Sequence, residues 1–342
     1  MNIGKATITA NLRQSRSNKI AGTKKVSNVD FTLKDFTTKT SERGKELYYV
    51  INYKPEGFAV VTSSAKFKQR VLAFSAYGSF DAKKTNPALS EWINGIDSLI
   101  SVNIDKPQES VDLLSGLSKT TTLTTTIVGP LINTRYDQGK GYNEYVELFG
   151  WGSPTTNCTT TLNGRPPAGC VPIAMAQLCN YWRPGNLYSW TQITQENATG
   201  QGGMYTAHMV ALIGADVGTD YDCEGSGTTA DRAYQWFHTI KFGGAPNTIF
   251  NGSLQYIPYN LNTVISNLNA SRPVYVDGNY GSNTVGHAWV IDGYRIDANG
   301  TFLSHNWGWG GSNNGFYLVG TSSPHPSSYN FNNKIISNLF LN

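Results

Sequence analysis

Residues 169–182, GCVPIAMAQLCNYW, carry the clearest local signal in this chain of 342 residues. The apolar residues recur at helical spacing, and Arg183-Pro184-Gly185 follows them as a stop signal. The residues that mark the apolar face are Val171, Ala174, Met175, Leu178 and Trp182. The stretch therefore predicts a buried helix that begins beside Cys170.

Cys170 lies where the helix begins, behind Gly169 and ahead of Pro172. Unpaired N–H groups at a helix N-terminus favour an anion, and a thiolate is the nucleophilic form of cysteine. Cys179 lies on or beside the apolar face of the same helix and is interpreted as a small buried residue. Taken alone, Cys170 can be a nucleophile or a structural cysteine.

Beyond residue 129 the pattern places helices before strands. Helices are predicted at 205–215, 229–241 and 261–268, and strands at 273–276, 287–296, 301–306 and 315–319. A helical lobe followed by an antiparallel sheet lobe is an α+β architecture, with a groove expected between the two blocks. Residues 129–342 are predicted to form this domain.

The N-terminal part has its own α+β pattern. Strands are predicted at 47–53, 58–62 and 70–76, and Asn86-Pro87 supplies the cap and first residue of a helix. A flexible arm at 1–29 and a small domain at 30–103 follow from this pattern. Residues 104–128 include a Thr-rich run and predict either a plain interdomain linker or a cleavable junction.

Composition excludes several classes of protein. Charged residues are only 15%, and residues 1–128 hold eighteen Lys/Arg against eleven Asp/Glu without a basic, aromatic-rich run, so no nucleic-acid partner is expected. No stretch approaches eighteen apolar residues, which argues against a membrane span. The composition fits a secreted, periplasmic or cell-surface protein, whose signal peptide would be missing from this sequence.

Four cysteines are too few for a disulfide scaffold, although one disulfide, for example Cys158 with Cys223, would fit an oxidising compartment. The five histidines never show the i,i+4 spacing of metal ligands, so neither a metal nor another cofactor is expected.

His287 and Asn306 lie on the two arms of a predicted hairpin. A histidine acts as a base when a third group fixes its tautomer, and an asparagine can do this. A hairpin centred near residues 296–297 would place the two residues opposite each other, whereas one centred on the turn 297–300 would miss by a few positions. His287 can otherwise be a core histidine.

Acyl transfer by a thiol also needs donors for an oxyanion. The backbone N–H of Cys170 is one candidate, and the side-chain amide of Gln138 is the second, unless Gln138 is a plain turn residue. Trp307 can shield the His287–Asn306 pair from water, and we assign supporting roles to Trp309 and Gly286. Both tryptophans can equally be core residues.

Three blocks, GCVPIAMAQ at 169–177, GHAWVIDG at 286–293 and NWGWGG at 306–311, resemble the signature blocks of the streptopain family of papain-like cysteine peptidases. The segment around Gln138 resembles the part of the family that carries the oxyanion-hole glutamine. GFAVVT at 57–62 and VLAFSAYGSFD at 71–81 resemble the family's inhibitory propeptide.

The resemblance implies a papain-like, two-lobed catalytic domain and a bacterial zymogen in which the propeptide inhibits its own chain. It further implies polypeptide substrates with a hydrophobic residue two positions before the scissile bond. Cys170 would be the nucleophile, His287 the base, Asn306 its orienting partner and Gln138 an oxyanion donor. A secreted aromatic-rich binding protein and a papain-like amidase or transferase are the alternatives.

Overall fold

The computed structural model describes residues 32–107, 110–114, 125–146, 158–159, 164–185, 188–197, 203–239, 250, 253–280, 286–320 and 331–341. The predicted arm at 1–29 and most of the Thr-rich run lie outside the described residues. The remainder shows antiparallel strands together with helices.

The helices are α1 (Pro87–Ile104), α2 (Cys170–Trp182), α3 (Trp190–Asn197), α4 (Met204–Asp216), α5 (Ala230–Thr239) and α6 (Leu261–Asn269). The strands are β1 (Thr32–Thr40), β2 (Glu46–Lys54), β3 (Phe58–Thr62), β4 (Val71–Ser75), β5 (Thr126–Val128), β6 (Gln255–Pro258), β7 (Val274–Tyr280), β8 (Gly286–Asp297), β9 (Gly300–Asn306), β10 (Gly315–Leu318) and β11 (Phe331–Ser337). The predicted helices at 205–215, 229–241 and 261–268 and the seven predicted strands are all present, with small changes at their ends.

The described residues fall into two compact units, and neither is a continuous piece of chain. The first unit holds residues up to Leu131 together with Gly293–His305 and Ser312–Phe331. The second holds Ile132–Asp292, Asn306–Gly311 and Asn332–Asn342. Strands from the C-terminal third of the chain therefore belong to the same unit as the N-terminal strands.

The first unit is built on antiparallel strands in the order β1-β2-β3-β4-β10-β9. β4 pairs with β10 in the register Phe74↔Phe316 and Ala73↔Tyr317. The rings of Phe74 and Phe316 stack with centroids 5.1 Å apart. Because both rings are buried, the β4–β10 junction lies in the core of this unit.

α1 packs into the same unit through its apolar face. The Asn86 side chain caps it by accepting from the Leu89 backbone N–H at 2.9 Å, as the sequence predicts. The indole N–H of Trp92 donates to the carbonyl of Leu318 at 3.1 Å. This bond ties α1 to β10.

The second unit places α2 in a hydrophobic core that includes residues of α4, α5, β7 and β8. β7 pairs with the first half of β8 in the register Asp277↔Ala288 and Gly278↔His287. α2 ends at Trp182, and the cap residue Arg183 closes the last turn with its left-handed backbone and its N–H bond to the Cys179 carbonyl. Buried on nearly all its sides, α2 provides a rigid base for Cys170.

Among the described residues, no helix is both long enough and apolar enough to span a membrane.

Candidate active site

Cys170 is the first residue of α2, and Gly169 before it makes the turn into the helix. Gly169 has φ +88°, a region that L side chains rarely adopt. A Cβ on Gly169 would also lie 3.2 Å from the carbonyl oxygen of Ser226. Glycine is therefore required here, and it delivers the cysteine to the helix N-terminus as the sequence predicts.

The thiol of Cys170 is held in its neutral form. Burial raises the pKa of this thiol above its usual range, although the neighbouring backbone N–H groups of Ala288, Val171 and Cys170 itself oppose that rise. The carboxylate of Asp277 raises the pKa further. Cys179 is fully buried, and burial alone raises the pKa of its thiol, which fits the structural role predicted for it.

His287 lies on β8 with its ring inside a group of tryptophans. Its Nε2 lies 3.0 Å from the carbonyl oxygen of Trp307, and its ring is parallel to that of Trp289 and perpendicular to that of Trp309. Burial lowers the pKa of His287 to about 4, against the opposing effect of the Trp307 hydrogen bond. The ring is therefore neutral at physiological pH.

Cys170 and His287 approach the same short segment of β8. The sulfur of Cys170 accepts the N–H of Ala288, which is the residue directly after His287. Successive residues of a strand face opposite sides, so Ala288 faces the core with Asp277 while His287 faces the tryptophans. Both groups are uncharged here, and each is hydrogen-bonded to backbone rather than to the other within the described residues.

Asn306 does not hold His287 in the way the sequence predicts. Its Nδ2 donates to the carbonyl of Thr134 at 2.8 Å, and its Oδ1 accepts the N–H of Gly308 at 3.3 Å. The physical reason is the position of the turn, because β8 ends at Asp297 and β9 begins at Gly300. A hairpin centred on residues 298–299 does not bring Asn306 opposite His287, and the carbonyl of the next residue, Trp307, takes the ring nitrogen instead.

Gln138 lies in a turn joined to the segment before Cys170. Its backbone carbonyl accepts the N–H of Ala168 at 2.7 Å, two residues before the cysteine. On the other side of the turn, the carbonyl of Tyr136 accepts the N–H of Gly310 at 2.8 Å. The half-buried Gln138 thus stands between the cysteine segment and the NWGWGG loop at 306–311.

The three supporting residues have distinct places. Trp307 is buried, and its ring centroid lies 5.4 Å from that of Trp289. Trp309 meets the His287 ring edge-on. Gly286 begins β8, and a Cβ there would lie 2.9 Å from the carbonyl of Gly278, so close approach of two strands requires glycine.

Asp277 is a residue that the sequence prediction missed. Burial raises its pKa to about 6, although the hydroxyl of Tyr256 donates to its Oδ2 at 3.0 Å. The other oxygen, Oδ1, is buried and has no hydrogen-bond partner among the residues that the structure describes. The sequence did offer a signal for Asp277, because its carboxylate interrupts the otherwise apolar run PVYVDG at 273–278 and is therefore expected to be partly buried.

Cys158 and Cys223 form a disulfide with Cα atoms 5.2 Å apart, so the pairing offered from the sequence is the one found. Cys223 lies in a loop in which Asp220 and Gly227 exchange backbone hydrogen bonds. The Ser226 carbonyl of this loop lies close to Gly169.

No group of three or more His, Cys, Asp or Glu residues suited to a metal ion occurs in the part of the chain that is described.

Two parts of the chain match known protein families. Residues 184–317 match the Peptidase C10 family, and residues 5–100 match the Spi protease inhibitor family. The chain carries a Peptidase C10 domain. His287 and Asn306 lie inside the C10 match, whereas Cys170 and Gln138 precede it.

Bacterial relatives of the C10 domain include two named proteases. Thiol protease/hemagglutinin PrtT of Porphyromonas gingivalis is 27% identical over 336 residues, which cover 83% of this chain but only 35% of PrtT. Streptopain of Streptococcus pyogenes serotype M1 is 25% identical over 316 residues, covering 81% of this chain and 74% of streptopain. The chain thus spans about a third of the length of PrtT.

A solved structure shares the fold. A fragment of prointerpain A from Prevotella intermedia superimposes with a TM-score of 0.61 at 22% identity, covering 92% of this chain and all of that one. The resemblance to the streptopain family and the α+β, papain-like fold with a propeptide are confirmed, and the C10 domain is a cysteine-type peptidase domain.

Proposed function

We propose that the chain is a cysteine endopeptidase in its autoinhibited zymogen form. The observation that carries the proposal is the setting of Cys170, a cysteine at a helix N-terminus where neighbouring backbone N–H groups favour the thiolate. Such N–H donors stabilise a thiolate once Cys170 and His287 can form a charged pair. The C10 and Spi inhibitor matches in one chain support an enzyme that carries its own inhibitor.

The tautomer of His287 follows from its partner. A backbone carbonyl can only accept, so Nε2 carries the proton in the hydrogen bond to Trp307, and Nδ1 is the basic nitrogen. In the proposed reaction, Nδ1 takes the proton of Cys170 and the sulfur attacks the peptide carbonyl. His287 then protonates the leaving amine, and water resolves the thioester.

The developing oxyanion needs two donors. The proposal assigns the backbone N–H of Cys170 and the side-chain amide of Gln138. The support for Gln138 is its place in the fold, since its carbonyl is bonded to Ala168 in the segment leading to the cysteine. Asn306 acts indirectly, because its bonds to Thr134 and Gly308 hold the loop that presents the Trp307 carbonyl.

Latency has an electrostatic basis in this scheme. The thiol has a raised pKa and the imidazole a lowered one, so the charged pair of an active thiol protease is disfavoured. We infer that residues 30–103 are the propeptide, that cleavage falls within 104–128 or just after it, and that residues 129–342 are the mature enzyme.

The proposed substrates are polypeptides with a hydrophobic residue two positions before the scissile bond. Secretion is the proposed location, and the Cys158–Cys223 disulfide supports an oxidising compartment. The burial of Trp289 and Trp307 weighs against the alternative of an aromatic-rich binding protein, since binding aromatics are exposed.

The test uses two matched cysteine variants. Wild type, Cys170→Ala and Cys179→Ala are first left to process themselves, or are cut in the linker at 104–128 and separated from residues 30–103. They are then incubated with a denatured protein and reductant, and the products are sequenced by mass spectrometry. Cleavage of internal peptide bonds by wild type and Cys179→Ala, and none by Cys170→Ala, is expected. Release of ammonia or transfer products without internal cleavage would favour the amidase or transferase, and no chemistry at all would favour the binding protein.

A further inference from the structure

The turn that contains Gln138 carries an ion pair that the proposed reaction does not use. Asp137 Oδ1 accepts the N–H of Gly139 at 2.9 Å, and Asp137 Oδ2 lies 3.3 Å from Lys140 Nζ. The Asp137 side chain is 19% exposed, and that of Lys140 is 50% exposed. The two carboxylate oxygens of Asp137 therefore contact Gly139 and Lys140, the two residues that follow Gln138, and hold this turn in place.

This ion pair also lies against the NWGWGG loop. A Cβ placed on Gly310 would be 2.7 Å from Asp137 Oδ2 and 2.7 Å from Lys140 Nζ. The Gly310 N–H meanwhile donates to the carbonyl of Tyr136 at 2.8 Å. We call Asp137, Lys140 and Gly310 the Asp137 clamp.

Gln138 is thus fixed from both directions. The clamp holds its turn to Gly310, and the bond from Ala168 N–H to the Gln138 carbonyl holds it to the cysteine segment. A donor to an oxyanion acts only if it is placed to within a fraction of an ångström, and a misplacement of about 1 Å can cost about a hundredfold in rate.

We propose that Asp137 is a positioning residue that fixes the Gln138 amide for the oxyanion of the reaction. The inference rests on the proposed function, in which Gln138 is one of the two donors. Asp137 does not touch substrate in this scheme. Asp137 acts by keeping the turn that contains Gln138 packed against Gly310.

The first test is a double-mutant cycle on peptide cleavage. Asp137→Ala should lower kcat by about tenfold to a hundredfold with little change in KM, because the donor serves the transition state. Asp137→Asn keeps an acceptor for Gly139 N–H and should lose less. In a Gln138→Ala background, Asp137→Ala should have no further effect.

The outcomes separate this proposal from the proposed function. Effects of Asp137→Ala and Gln138→Ala that multiply would overturn the positioning role. A Gln138→Ala variant with wild-type kcat would also overturn it, while Cys170-dependent cleavage would still stand. The rate of Cys170 alkylation should be the same in Asp137→Ala and wild type, because alkylation needs no oxyanion donor.

Gly310→Ala gives an independent test with a matched control. Gly310 has φ +64°, and Gly164 has φ +69° with no atom of the described residues within 4 Å of a Cβ. Both alanine variants strain the backbone equally, but only Gly310→Ala displaces the clamp. Gly310→Ala should therefore reproduce the kcat loss of Asp137→Ala, and equal kcat values for Gly310→Ala and Gly164→Ala would refute the clamp.

A last measurement does not depend on catalysis. In a Cys170→Ala background, Asp137→Ala should speed hydrogen exchange at the Ala168 and Gly310 amides, whose carbonyl partners belong to the clamped turn. Unchanged exchange at both amides would show that Asp137 does not hold this turn.

Discussion

The backbone carbonyl of Trp307, and not the side chain of Asn306, takes the Nε2 nitrogen of His287 at a distance of 3.0 Å. A backbone carbonyl can only accept, so it fixes the tautomer with the proton on Nε2, whereas an asparagine amide can either donate or accept. The ring stays neutral while it is buried in this position, because burial lowers the pKa of His287 to about 4.

The thiol of Cys170 should react slowly with alkylating agents in the intact chain. Burial raises the pKa of this thiol, so the thiolate fraction at pH 7 is small. Iodoacetamide labelling rates measured between pH 6 and 10, with intact-mass detection, should give an apparent pKa above that of an ordinary cysteine. Fast labelling of the intact chain at pH 6 would contradict this assignment.

Labelling of the processed enzyme supplies the comparison. Its apparent thiol pKa should fall once Cys170 and His287 can form a charged pair. Cys170→Ala, which retains the fully buried Cys179, gives the background and should stay unlabelled.

Asp277→Asn should lower the pKa of the Cys170 thiol. The Asp277 carboxylate disfavours a thiolate, and the amide removes that charge with almost no change in shape. Alkylation of Cys170 at pH 7 should therefore be faster in the variant than in wild type. Asp105→Asn, at an exposed carboxylate that pairs with Lys45, is the charge-matched control, and an equal rate for all three proteins would rule out the effect.

Acidification should destabilise the chain through His287. The pKa of His287 falls from 6.5 to about 4 on folding, so its contribution is complete above pH 6.5 and is lost as pH falls through 4. Between pH 7 and 5 the loss should approach about 2 kcal/mol. Asp277 acts in the opposite sense, because its raised pKa of about 6 favours the folded state as pH falls below 6.

The measurement is urea unfolding across pH 4.5–7.5 in a Cys170→Ala background, which prevents self-cleavage. His287→Gln should make the dependence of unfolding free energy on pH less steep, because glutamine does not titrate. His305, whose pKa burial lowers to about 3, still titrates in both proteins. If the parent and His287→Gln curves run parallel, His287 does not titrate with a lowered pKa in the folded chain.

Loss of the Cys158–Cys223 disulfide should lower the unfolding free energy. The bond closes a loop of 65 residues, for which chain entropy predicts about 4 kcal/mol. Guanidinium unfolding of Cys158→Ser and Cys223→Ser without reductant, both in the Cys170→Ala background, measures the loss. Reductant should bring the parent to the level of these variants and leave the variants unchanged.

Elements with one apolar face could be predicted from the sequence. α1 and α2 show this, because their apolar spacing and their cap and stop residues are local signals. β1 was missed, since its side chains are exposed along most of its length and no alternation marks it. The short strands β5, β6 and β11 and the helix α3 were missed as well.

The candidate site could be predicted in its residue types but not in its connections. Cys170, His287 and Gln138 are named by their flanking residues, whereas the partner of His287 depends on where a two-residue turn falls. Asn306 and Trp307 are neighbours, so a small shift in the β8–β9 register decides whether the Asn306 side chain or the Trp307 carbonyl binds the His287 ring. The pairing of β4 with β10 joins residues more than 200 positions apart and leaves no local pattern.

That pairing has a consequence for activation. β4 lies in the segment that matches the Spi inhibitor, and β10 lies at the end of the C10 match, yet they are hydrogen-bonded neighbours within one folded unit. Severing the chain between residues 104 and 131 leaves every one of those bonds intact. If the proposed linker is the processing site, we therefore expect cleavage and activation to be two separate events. A cleaved but inactive complex should persist until Phe74 separates from Phe316 and β10 loses its neighbour β4.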